Sequence, residues 1–161
     1  FNKACDAGFG LGCFMLADMK FKGEGIEQDL TGARELYSKA CEQNEFMSCK
    51  SLAVMWYLGK GGPQLPPKAL ELFTKACNGK NKEACRYCGT MWTKGEGTTR
   101  SDKKASEYFS KGCDLEDSNS CYWMGLLHGS GALGKINTKK AYEYLKKACI
   151  LGSSEACESM R

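Results

Sequence analysis

A chain of 161 residues with 42% hydrophobic and 26% charged side chains carries enough apolar material for a buried core. Its net charge of +4 is modest and its lysines are spread evenly, so nothing marks a nucleic-acid footprint, and no apolar stretch approaches the roughly 18 residues of a membrane span. The eleven cysteines are the anomaly.

Ten of them form equally spaced pairs: Cys5 and Cys13, Cys41 and Cys49, Cys77 and Cys85, Cys113 and Cys121, Cys149 and Cys157. On one continuous helix, residues eight apart lie about 12 Å from each other along the axis, whereas a disulfide needs Cα atoms within about 7 Å. The chain must therefore turn back inside each pair. Cysteine use on this scale points to an oxidising compartment, periplasmic or secreted. Zinc knuckles need short C-x2-4-C spacings with a second pair or a histidine nearby; this chain has seven-residue gaps and one His, so neither a metal site nor a cofactor is expected.

Sliding the sequence by 36 residues aligns it with itself without a gap, the mark of an array of small units that cannot bury an apolar face alone. The strongest columns after cysteine are Ala33, Ala69, Ala105 and Ala141; Glu35, Glu71, Glu107 and Glu143; Lys39, Lys75, Lys111 and Lys147; and Gly23, Gly59, Gly95 and Gly131. In chain order, residues 1–8 read as the end of a second helix, residues 9–44, 45–80, 81–116 and 117–152 as four repeats, and residues 153–161 as the start of a further first helix. Together they form one repeat domain. Because the chain opens in the middle of a unit, it reads as a fragment or processed form with an export signal upstream.

Each unit reads as two helices. The first, A, is predicted over about residues 46–58, where Cys49, Leu52, Ala53 and Trp56 fall on one stripe. Glycine stops it. The second, B, is predicted over about residues 66–78, with Pro66 and Pro67 in its first turn and a stripe of Ala69, Leu72, Phe73 and Ala76. Asp29, Ser101 and Asn137 mark the same start in other units as N-caps. Glu71 precedes Lys75 by four residues, a spacing repeated in every complete unit, and the expected ion pairs are worth about 0.2–0.5 kcal/mol each. The first cysteine of each pair then ends helix B and the second lies in the next helix A, so each bridge staples neighbouring units. Cys88 stands outside this scheme, in a column with Leu16, Leu52 and Met124, and reads as a small buried thiol.

Leu52-Ala53 with Trp56, Cys88-Gly89 with Trp92, the Gly-x-Gly after helix A, the alanine of helix B and the Lys-Ala-Cys near its end resemble the Sel-one-like repeat, a relative of the tetratricopeptide repeat. The period and the repeated C-x7-C resemble most the Helicobacter cysteine-rich family of secreted, bacterial Sel-one-like proteins. The resemblance implies an all-α solenoid, a right-handed superhelix with helix A lining its concave side. It also implies protein or peptide binding and, as an alternative, weak penicillin-binding or beta-lactamase activity, with a beta-lactam as the small molecule.

The residues weigh these two implications differently. "SDKK" at Ser101 to Lys104 matches S-x-x-K by letter, but S-D-N and K-T-G are missing, Ser101 sits where helix B needs a cap, and His128 shares a column with Trp56 and Trp92. No catalytic residue is assigned. A binding groove needs varied side chains on a constant frame, and the candidate positions on helix A are Lys50, Val54, Arg86, Tyr87, Thr90, Tyr122 and Trp123.

Overall fold

The computed structural model describes residues 1–161 as ten helices without a strand, grouped in two units. The unit Phe1–Gly79 holds α1 (Asn2–Asp6), α2 (Gly10–Lys22), α3 (Leu30–Glu42), α4 (Phe46–Leu58) and α5 (Pro66–Asn78). The unit Lys80–Arg161 holds α6 (Lys82–Lys94), α7 (Asp102–Asp114), α8 (Ser118–Ser130), α9 (Thr138–Ile150) and α10 (Ser154–Ser159). Helices α2, α4, α6 and α8 are the A helices, each packed on the B helix that follows it. The fold is an all-α solenoid of helix-turn-helix repeats.

The start of each helix is set by local chemistry. Asp29, Ser101 and Asn137 accept backbone N–H bonds from Gly32, Lys104 and Lys140, satisfying donors that the first turn leaves orphaned. Glu45, Asn81 and Asp117 do the same for α4, α6 and α8, a set of caps that sequence reasoning did not single out. At the end of α4, Gly59 adopts φ 69° and donates its N–H to Met55 O, a left-handed stop that most side chains resist. Gly61 follows for a different reason. A methyl group there would collide with the carbonyl of Leu30 at the start of α3, so this loop closes onto its neighbour only without a side chain.

The turn from helix B into the next helix A repeats one backbone feature at five positions under four residue identities. Gly8, Asn44, Lys80, Glu116 and Gly152, spaced by the repeat period, all take positive φ, from 61° at Asn44 to 98° at Gly152. That single left-handed residue reverses the chain between the paired cysteines. The Cα atoms of Cys5–Cys13, Cys41–Cys49, Cys113–Cys121 and Cys149–Cys157 lie 4.4, 4.7, 4.6 and 4.8 Å apart. Cys77 and Cys85 are also disulfide-bonded, and Cys88 is a buried thiol. A left-handed conformation costs a non-glycine residue about 1 kcal/mol or more, partly offset by the backbone entropy that glycine loses on folding. Glu116→Gly is therefore expected to stabilise the fold by about 0.5 kcal/mol, read as a higher urea midpoint at unchanged slope. An unchanged or lower midpoint would show that the turn carries no such cost.

The core follows the predicted stripes. Cys49, Leu52 and Ala53 of α4 and Ala69, Leu72, Phe73 and Ala76 of α5 are buried, joined by Met55 and Leu70. In the second unit Ala105, Phe109, Met124 and Leu127 form a cluster against which Trp92, Trp123, Leu133 and Tyr144 pack. Phe109 fits a hole made by Gly89, where even a methyl group would strike its ring.

Lys75 acts differently from the expected pairing. Glu71 meets Lys68 at 3.4 Å and Glu107 meets Lys104 at 3.4 Å, exposed i,i+3 pairs of small energetic weight. Lys75 instead reaches back one repeat and donates to Cys41 O at 2.8 Å. That carbonyl lies in the last turn of α3, where helical acceptors lack partners and a cation is favoured. Lys75 thus caps α3 from α5.

Candidate binding surface on the A helices

On α2 and α4 the buried stripe faces inward, which leaves positions 11, 15, 18, 47, 50, 51 and 54 on the outer side of the two helices, while Phe14 packs on the cluster of Cys5, Cys13 and Ala40. Between them lies a pocket of about 210 Å³ lined by Asp18, Phe21, Lys22, Tyr37, Lys50, Ser51, Val54 and Met55. Two of the seven candidate residues, Lys50 and Val54, meet here. Tyr37 comes from the helix between; its hydroxyl donates to Asp18 Oδ1 at 3.4 Å, and Asp18 Oδ2 pairs with Lys22 at 2.7 Å. Burial, reinforced by the Asp18 carboxylate, pushes the Tyr37 hydroxyl well above its ordinary pKa, so it remains a neutral donor. On the same helices Leu11, Met15 and Met47 are 65%, 37% and 44% exposed, an apolar strip toward their N-terminal ends. Leu11 and Met47 occupy one repeat column, a signal that was available in the sequence and passed over.

The other five candidates lie in the second unit. On α6 the Arg86 guanidinium stands 5.7 Å from the Tyr87 ring, and Thr90 donates its hydroxyl to Arg86 O at 3.1 Å. On α8, Tyr122 packs beside the cluster of Cys113, Cys121, Ala148 and Ala156. Trp123 is first a packing residue: it stacks on Phe109 with centroids 5.7 Å apart and planes 9° from parallel. It also lines a cavity of about 390 Å³ with Leu126, Leu127 and Leu145.

The residues weighed for catalysis have structural roles. Ser101 Oγ accepts from Lys104 N at 3.2 Å as the cap of α7, and Lys104 Nζ points to Glu107. His128 stacks on Tyr144, centroids 5.6 Å apart, and burial with help from Lys140 holds the imidazole below its ordinary pKa. Ser101→Ala is expected to lower stability by about 1 kcal/mol through the lost cap. Nitrocefin turnover, if any is measured, should stay the same; its loss in a folded variant would reinstate the serine.

Repeated helix pairs, left-handed glycines after each A helix and cysteine staples at each B-to-A turn define a helical-repeat protein. The Sel1 repeat model matches residues 10–45, 47–81, 82–117 and 118–153, and the chain belongs to the Sel1 repeat family. Among curated proteins none matches by sequence. Three solved structures carry the comparison further. Helicobacter pylori cysteine rich protein B is 33% identical, with a TM-score of 0.64 over 85% of this chain and 98% of its own. A protective antigen of uropathogenic Escherichia coli strains, described as displaying an SLR fold, is 26% identical with a TM-score of 0.91 over 95% of this chain. A Sel1 repeat protein from Oxalobacter formigenes shares the fold at 21% identity, with a TM-score of 0.84 over 93% of this chain. The chain spans 33% of the antigen's length and 61% of the Oxalobacter protein's. No helix is long and apolar enough to cross a membrane.

Proposed function

We propose that this chain is a disulfide-stapled scaffold of an oxidising, extracytoplasmic compartment that binds an extended polypeptide along the outer faces of its A helices. The observation that carries the reading is the contrast between frame and face. Cysteine, alanine and the capping residues recur at fixed columns, while the A-helix columns change from Phe14 to Lys50, Arg86 and Tyr122, and from Met15 to Ser51, Tyr87 and Trp123. The pocket at Lys50 and Val54 offers apolar walls, the Asp18 carboxylate and ammonium groups, a mixture suited to a side chain and its backbone. The staples support the compartment, because a glutathione-reduced cytosol keeps thiols open. The similarity to a Helicobacter cysteine-rich protein and to a protective antigen agrees with an exported role.

A peptide selected from a random library on the oxidised protein tests this reading. Tyr122→Ala and Lys50→Ala are each expected to weaken such a peptide by about 1–2 kcal/mol with the melting profile unchanged. Glu107→Ala, on an exposed B helix, should alter affinity by no more than about 0.5 kcal/mol. Affinity that follows Glu107 and ignores the A-helix variants would place recognition on the B helices.

A further inference from the structure

A second pocket, of about 330 Å³, lies between α3, α4 and the loop after α4, lined by Thr31, Arg34, Ser38, Trp56, Gly62 and neighbouring residues. Arg34 dominates it. Only 8% of this residue is exposed, its guanidinium carbon stands 3.4 Å from the centroid of the Trp56 ring, and one terminal nitrogen donates to Pro63 O at 3.1 Å. Its Nε is buried and has no hydrogen-bond partner. Stacking and the Pro63 bond explain how the side chain is held, and they suffice to fasten the loop. They leave a desolvated charge with a donor unused. An uncompensated buried charge is among the costlier features a fold can keep.

The position is also singular. The same column holds Leu70, Ser106 and Tyr142, so the repeat frame does not call for a cation there. Gly62 completes the arrangement, since a methyl group at that residue would collide with Arg34 Nη1. Guanidinium groups recognise carboxylates through two parallel N–H donors, commonly Nε with Nη2, and Trp56 fixes the plane in which such a fork lies; of the two Nη2 hydrogens Pro63 O takes one. Glu35 lines the same pocket and keeps its charge close to neutral, which disfavours a dianion.

We propose that the Arg34 pocket is a carboxylate-binding site, taking a single carboxylate either from a small organic acid or from the C-terminus of a polypeptide. The site lies on a different side of α4 from Lys50 and Val54, so it stands or falls independently of peptide binding there.

The test follows the Arg34 Nε–H and Trp56 indole N–H signals in ¹⁵N-correlation spectra of the oxidised chain. The probes are sodium propionate, the tripeptide Gly-Gly-Leu with a free carboxylate, its C-terminal amide, and inorganic phosphate. Saturable shifts of both signals with propionate and the tripeptide acid, and none with the amide, are expected. A tripeptide acid at least tenfold tighter than propionate assigns the carboxylate to a chain terminus; comparable affinities assign it to a small acid. Arg34→Gln, and independently Gly62→Ala with Arg34 in place, should each weaken the acid at least tenfold. The wild-type comparison of acid with amide needs neither variant to fold. Equal response to acid and amide, tighter binding of phosphate, or shifts that grow linearly without saturation would overturn the proposal.

Discussion

Phe109→Ala is expected to destabilise the Lys80–Arg161 unit by about 3–5 kcal/mol, the range for removing a fully buried aromatic ring. The ring is wholly inaccessible, forms a cluster with Ala105, Met124 and Leu127, and carries Trp123 stacked on one side. Its space cannot be refilled easily, because Gly89 beside the ring supplies no side-chain atoms. Urea unfolding followed by Trp fluorescence reads the change directly. Gly89→Ala alone should also destabilise, by forcing a methyl group into the ring. Combined with Phe109→Ala, the same methyl enters an emptied hole, so the double variant should be more stable than the sum of the two losses implies. Strict additivity, or a loss below about 1.5 kcal/mol for Phe109→Ala, would contradict the knob-and-hole packing.

The second large effect concerns a staple. Replacing Cys41 and Cys49 together with alanine opens a nine-residue loop, for which the chain-entropy account gives about 2.5 kcal/mol. Both cysteines are buried, so the lost sulfur contacts add to this figure. In a quasi-one-dimensional array the damage should be local. Amide exchange should accelerate at the end of α3 and the start of α4, while the second unit keeps its protection. Uniform acceleration over both units would mean that the chain unfolds as one cooperative body. No change in stability would mean that Lys75 on Cys41 O and the left-handed Asn44 already hold the junction closed.

The helices were legible in the sequence because each signal is local. Residues 46–58 and 66–78 carry a full apolar stripe and a glycine or the Cys turn at the end, with prolines opening the second, and these agree with α4 and α5. The staples were legible from spacing alone. Other features depend on which atoms meet across the repeat. The Glu71–Lys75 spacing suggested an ion pair within one helix, but Cys41 O, in the last turn of α3, lies within reach of the lysine, and a partly buried acceptor outweighs an exposed carboxylate. Arg34 was invisible for a similar reason: as a letter it is one more surface cation, and only the fold lays it over Trp56. The left-handed turn was hidden by its varied identities, since Asn44, Lys80 and Glu116 share a backbone angle and no side-chain chemistry. Of the seven candidate binding residues, Trp123 shows the limit of column variety as a guide, because a variable position can also be filled by a packing ring.

The left-handed turn between paired cysteines also bears on how the molecule is made. Ten cysteines paired without guidance allow on the order of a thousand arrangements, most of them dead ends for a chain in an oxidising medium. Here each thiol has its partner eight residues away, across a reversal that needs only one residue in an unusual angle and no distant contact. Closing so short a loop is fast compared with forming long-range structure. During synthesis from the N-terminus, both thiols of a pair emerge before the next pair does. Oxidation can therefore proceed in order along the chain, each bridge withdrawing its two sulfurs before a wrong partner arrives. Correct pairing is in this sense a property of spacing and timing, and a chain of any number of such units would inherit it.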